Sequence, residues 1–91
     1  MIKHFNIKIS GLVQGVFFRD FASNEAKKLR LFGFVRNEPD GSVYIETEGE
    51  GDDLQKFILL CKSGPVNASV DNVEIIEAPV KNLKSFAIMS E

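Results

Sequence analysis

The spacing of apolar residues in this chain switches repeatedly between a strand period and a helix period, and the order of the switches leaves few folds open. From Lys3 to Ser10 the pattern alternates, with Phe5, Ile7 and Ile9 on one face and His4, Asn6, Lys8 and Ser10 on the other. A strand buried on one side requires this pattern. Phe18, Ala22, Ala26 and Leu29 then recur at helical spacing, with Asn24, Lys27 and Lys28 opposite. This predicts an amphipathic helix ending near Leu31 and broken by Gly33. Phe34 to Glu38 reads as a second strand, joined through Pro39-Asp40-Gly41 to a third from Ser42 to Glu48, because Asp-Gly between apolar runs is a strong hairpin signal. Gly49 to Gly51 closes that strand. Leu54, Phe57, Ile58 and Cys61 mark a second helix, with Asp52 and Asp53 at its start and Gly64-Pro65 as its stop. Val73 and Ile75 alternate in a fourth strand around residues 71–77, and Phe86 with Ile88 predicts a short last strand after the loop at 79–84.

Strand, helix, strand, strand, helix, strand is the split βαβ order of an α+β (α/β) domain, with both helices on one face of an antiparallel sheet of four to five strands. A chain of 91 residues has enough material for one core, so residues 1–91 are expected to form a single domain. On the face the helices leave bare, the alternation places His4, Asn6, Lys8, Tyr44, Glu46 and Glu48, a mostly charged and exposed surface. The formal net charge of −2 provides no global attraction for nucleic acid or an anionic membrane, so any anion site must be local. Cys61 is the single cysteine, which rules out an intrachain disulfide. The first twenty residues lack the apolar core of a signal peptide or membrane span. A cytoplasmic monomer without nucleic-acid or membrane partners is expected.

The segment Gly11 to Asp20, GLVQGVFFRD, leaves a strand and enters a helix. It presents free backbone N–H groups around Gln14 to Arg19, and Gly11 and Gly15 permit the positive φ angles that let amides converge on an anion. Arg19 lies where the helix already carries partial positive charge, an unfavourable place unless something negative accompanies it. Its planar guanidinium can grip two oxygens of a phosphate or carboxylate. The same residues also fit an ordinary strand-to-helix turn whose arginine faces solvent or pairs with Asp20. A different reading starts from RLFGFVRN at 30–37, which resembles the aromatic strand signature of RNA recognition motif domains. Here that signature falls on the second strand instead of the third, and His4, Asn6 and Lys8 stand on the first strand where stacking aromatics are needed. Tyr44 alone is left as a platform, so RNA binding is not expected.

Taken together, GLVQGVFFR at 11–19 and GFVRNEPDGSVYIETEGE at 33–50 resemble the two signatures of the acylphosphatase family. LRLFG at 29–33, FILLCKSGPVNASVDNVEI at 57–75 and FAI at 86–88 extend the resemblance along the chain. Arg30 takes a place often held by glycine, and Phe34 one often held by tryptophan. The resemblance implies a ferredoxin-like sandwich whose loop, Gln14, Gly15, Val16, Phe17, Phe18 and Arg19, binds the phosphoryl group of a small acyl phosphate through backbone amides and the guanidinium. Asn37 would hold the attacking water. Neither metal nor cofactor is implied, and no phosphoenzyme.

Other residues have plainer roles. Gln14 is expected either to shape the loop or to touch the substrate. Ser42 is expected to fix the Asn37 amide. His4, a strand's length from the loop, reads as an exposed strand-face histidine and not as a base. Cys61 falls on the apolar stripe of the second helix as a small hydrophobe. Asp20 and Glu25 lack the partner spacing of a metal site, and Asp20 suits a helix start. Two functions follow: a free-standing acylphosphatase, or a phosphate-binding regulatory module without turnover. Modules of that kind usually lie inside longer chains, and this sequence begins and ends with the domain, which favours the enzyme.

Overall fold

A computed structural model describes residues 1–90. Its elements are β1 (Ile2–Leu12), α1 (Phe18–Lys28), β2 (Phe32–Asn37), β3 (Val43–Glu50), α2 (Gly51–Ser63), β4 (Ser69–Ala78) and β5 (Phe86–Ile88). The sheet runs β4-β1-β3-β2-β5. It is antiparallel except between β2 and β5, which pair in parallel with Val35 opposite Ile88. The expected element order therefore holds, with one parallel pair added at the edge.

The inward residues of the strands meet across the ladders: Ile7 faces Ile45, Ile9 faces Val43, and Val35 faces Ile45. Phe18, Ala22 and Ala26 from α1 and Leu54, Phe57, Ile58 and Cys61 from α2 close over them to form the core. Burial pushes the Cys61 thiol up to about 12, consistent with a packing role. Since β1 and β2 both run antiparallel to β3, their C-terminal ends emerge at the same edge of the sheet. That topology brings the loop after Leu12 beside Asn37.

Several boundaries differ from the sequence reading: Gly49 does not close β3, which runs on to Glu50, and Gly51 opens α2. Helix α1 stops at Lys28, where Arg30 adopts a left-handed φ of 58° and the Leu31 N–H donates to the Ala26 carbonyl at 2.8 Å. The position where Arg30 stands in place of glycine is thus one that glycine favours. Gly33 does not break the helix but lies inside β2 at φ 144°, where a Cβ would overlap the Glu46 carbonyl oxygen of the adjacent strand.

The uncovered face also departs from expectation. His4 and Glu48 are buried there, and Asn6, Lys8, Tyr44 and Glu46 are half-buried. The connection at 79–85 crosses this end of the sheet. The N–H groups of Lys81 and Leu83 donate to Glu48 at 2.9 and 2.6 Å, and Lys81 Nζ donates to Glu46 at 2.8 Å. Local alternation assigns a face, but only a distant segment decides whether that face is covered. The Arg36 guanidinium lies 4.8 Å from the Tyr44 ring centroid. Burial, then the hydrogen bond its hydroxyl donates to Glu46, pushes Tyr44 up to about 12. Among the described residues, no helix is long and apolar enough to cross a membrane.

Candidate active site

The loop between β1 and α1 ends in Phe17, a left-handed residue at φ 65°, ψ 27°, which acts as N-cap without a side-chain hydrogen bond. Phe21 N–H is returned to the Phe17 carbonyl at 3.0 Å. The N–H groups of Phe18, Arg19 and Asp20 precede that first helical bond and belong to the set a helix start leaves without intrahelical partners. Gly15, at φ 73° with open space around its missing Cβ, supplies a second left-handed turn of the backbone. Together the two turns curl the loop around a cavity of about 350 Å³ lined by Val13, Gly15, Phe17, Phe18, Arg19, Asp20, Asn37, Ile88 and Ser90.

The structure therefore brings Gly15, Phe17, Phe18 and Arg19 of the loop to one cavity with Asn37. Val16 instead packs against the core. Gln14 turns to the β2–β3 hairpin, where its amide nitrogen donates to the carbonyls of Glu38 and Ser42 at 2.8 and 2.9 Å. Both donor hydrogens are engaged, the geometry of the loop-shaping role.

Asn37 ends β2 opposite Val43, and the turn that follows it is closely fastened. Glu38 N–H donates to the Ser42 carbonyl at 2.9 Å, and Ser42 donates to Asp40 Oδ1 through both its N–H and its hydroxyl, at 3.0 and 2.6 Å. The Ser42 hydroxyl proton thus serves the turn. Lys8 of β1 pairs with Asp40 at 2.8 Å. Hydrogen bonds from Lys8 and then Ser42 hold the Asp40 carboxyl well below the usual carboxylate range, and the same contact raises Lys8.

Arg19 is held by a residue that local pattern does not single out. Its Nη1 donates to the Met89 carbonyl at 3.1 Å, and the Met89 N–H donates to the Val35 carbonyl at 2.9 Å. The guanidinium is therefore anchored to the segment after β5, which is anchored to β2 two residues before Asn37. The place of Ile88, Met89 and Ser90 at the site escaped the sequence reading because it depends on a three-residue parallel strand. The only local signal was the Phe86–Ile88 alternation.

His4 lies far from this edge. At about 3.3 Å per residue, β1 separates it from Leu12 by roughly 25 Å. Its ring nitrogens are 2.8 Å from Glu48 Oε1 and 3.1 Å from both Glu46 Oε1 and Asn6 Oδ1. Burial alone would raise Glu48, but hydrogen bonds from the Lys81 N–H, His4 and the Leu83 N–H outweigh it and lower the carboxyl. Burial would likewise raise Glu46, and hydrogen bonds from Lys81, Tyr44 and His4 reverse the shift. This buried cluster fastens the 79–85 connection to the sheet. The described residues include no grouping of three or more His, Cys, Asp or Glu placed to hold a metal ion.

Comparison with known proteins points the same way as the cavity. The family model described as Acylphosphatase matches residues 5–88. A protein named acylphosphatase from Archaeoglobus fulgidus is 46% identical over 82 residues, covering 90% of this chain and 92% of its own. The crystal structure of acylphosphatase from Bacillus subtilis superposes with a TM-score of 0.94 at 36% identity, covering 98% of this chain and 99% of that one. The structure of T. kodakarensis HypF superposes with a TM-score of 0.85 at 34% identity, covering 98% of this chain but 12% of the longer one.

Proposed function

The chain belongs to the acylphosphatase family, so hydrolysis of acyl phosphates is its expected activity, and we propose that Arg19, the loop amides and Asn37 carry it out. The observation that supports this reading is the meeting of Arg19, the helix start and Asn37 around one cavity. An acyl phosphate carries its negative charge on the phosphoryl oxygens and has a good leaving group, a carboxylate. Charge stabilisation and water placement therefore matter more than acid catalysis at the leaving oxygen. The Arg19 guanidinium and the N–H groups of Gly15 to Arg19 bind those oxygens, whose charge shifts in a loose transition state. The Asn37 side-chain amide positions the water; it does not titrate in this range and is no general base. The water oxygen forms a bond to phosphorus as the phosphorus–acyl oxygen bond breaks, and the electron pair leaves with the carboxylate. The water's proton passes to a phosphoryl oxygen of the substrate.

This reading makes the protein a metal-independent, cytoplasmic, monomeric enzyme, residues 1–91 forming one domain. Its partner is a small acyl phosphate, with no nucleic acid or membrane involved. Hydrolysis of benzoyl phosphate, with and without a chelator, tests it. Asn37→Ala removes one preorganised donor and is expected to lower kcat by about 10² to 10³ with the fold intact. Near-full activity in that variant would take the water from Asn37. A second reading, a phosphate-binding module without turnover, is favoured by the match to a small part of the HypF chain. Folded protein that binds phosphate but hydrolyses nothing would select it.

A further inference from the structure

We propose that a second groove, at the end of the sheet opposite Asn37, binds a small amphipathic carboxylate, its alkyl or aryl body against apolar walls and its charged head at Lys27 and Arg30. The inference is independent of the reading of the phosphoryl cavity. The groove encloses about 570 Å³ where the end of α1 meets the starts of β2 and β5, and is lined by Lys27, Arg30, Leu31, Phe32, Ser85 and Phe86. Its walls are mainly apolar. Leu31 and Phe86 are buried, and both are held in place: the Phe86 ring meets that of Phe57 edge-on with centroids 6.4 Å apart, and Leu31 packs over Gly49, where a Cβ would crowd its Cδ2. Phe32 and Asn37 are the two ends of β2, roughly 17 Å apart at about 3.3 Å per residue. The two cavities share no lining residue.

Apolar walls with few polar groups suit a small molecule, and charge selects which kind. Lys27 and Arg30 stand about one turn apart on the α1 side of the groove, both exposed, with the Arg30 N–H donating to the Lys27 carbonyl at 3.1 Å. Neither forms an ion pair among the described residues, whereas Lys28, which does not line the groove, pairs with Glu25 at 3.4 Å. No acidic residue lines the groove. The helix dipole favours cations at this end, which accounts for Lys27 and Lys28 alike. It does not account for an arginine at φ 58°, a backbone conformation that glycine adopts most readily. Neither core burial nor an ion pair within the fold compensates for that choice, and an anion in the groove would. A carboxylate matches the position, because the guanidinium fork can meet both of its oxygens and the lysine adds a point charge. The apolar body then covers Leu31 and Phe86.

Octanoate, acetate and octylammonium, each titrated into the whole protein and followed through the amide NMR signals of residues 27–32 and 85–86, separate the apolar body from the charge. Octanoate is expected to move those signals saturably at millimolar concentration. Acetate, with the head but no body, and octylammonium, with the body but the opposite charge, are expected to leave them in place. Lys27→Gln and Arg30→Gly are each expected to weaken octanoate binding by about 3- to 10-fold, the size of one charge-assisted contact at a partly exposed rim. Glycine suits the backbone at position 30, so Arg30→Gly is expected to keep or raise the thermal midpoint, and binding lost in that variant does not report a lost fold. Saturating inorganic phosphate is expected to leave the octanoate affinity unaltered, because the two occupy separate cavities. Octylammonium binding as tightly as octanoate, an octanoate affinity unaltered in both variants, displacement of octanoate by phosphate, or no octanoate shifts at these residues would each overturn the proposal.

Discussion

Arg19 occupies a helix turn whose own partial charge opposes it, and its anchor, the Met89 carbonyl, supplies a hydrogen bond but no counter-charge. A planar fork serves a phosphoryl group better than a point charge does, because two N–H donors can meet two oxygens at once. Arg19→Lys keeps the charge and loses the fork. It is expected to raise the inhibition constant for inorganic phosphate and to lower kcat/KM for benzoyl phosphate, each by about 10- to 100-fold, the size of a lost charge-assisted hydrogen bond. Kinetics equal to those of the unaltered protein would mean that Arg19 acts only as a distant charge. Arg19 was legible as a candidate because a cation stood at a helix start, and Asn37 only through the resemblance to a family signature. Phe17 and Arg30 show the limit of such reading. Both have positive φ without being glycine, and nothing in their identity announces it.

At the scale of elements, the proposed site has two halves, the loop before α1 and the hairpin after β2. Gln14 bridges them through the Glu38 and Ser42 carbonyls. Gln14→Leu removes both bonds while keeping bulk. Because a misplacement of about 1 Å can cost 10²-fold in rate, we expect kcat for benzoyl phosphate to fall by roughly 10- to 100-fold, with a smaller change in KM. An unaltered kcat would show that the hairpin holds its position through Asp40, Ser42 and Lys8 alone. Gly33 sets the spacing between β2 and β3. Gly33→Ala places a Cβ on the Glu46 carbonyl and is expected to destabilise the fold by about 3 kcal/mol, read as a lower denaturant midpoint. The strands and helices themselves were legible because one apolar face repeats along each, as at Phe5, Ile7 and Ile9. The role of Gly33 was not, because a close approach between strands exists only once they pair.

For the molecule as a whole, Glu46 and Glu48 contribute acid sensitivity from the end of the sheet remote from the site. Glu46 and Glu48 have lowered pKa values in the fold, so the unfolded chain binds more protons than the native state as pH falls below the ordinary value of about 4.5. Their stabilisation is fully present above that value and is lost as pH falls through the lowered native values. Glu48→Gln keeps the shape but loses the charge that accepts from His4, Lys81 and Leu83. It is expected to cost about 1 to 3 kcal/mol at pH 7 and to flatten the fall of stability between about pH 5 and pH 2. Chemical denaturation at a series of pH values checks both, and a variant with an equally steep acid limb would place the sensitivity elsewhere.

The sequence by itself determined the order of elements, the helix-covered face of the sheet, the Asp40-Gly41 hairpin and the place of Gly15 and Arg19 where β1 gives way to α1. Periodicity, turn chemistry and charge are properties of neighbours in the chain. Tertiary structure alone decided the burial of His4 and Glu48, the anchoring of Arg19 by Met89 and the turning of Gln14 toward the hairpin. Each depends on segments far apart in the chain, which meet only when β5 pairs with β2 and the 79–85 connection crosses the sheet.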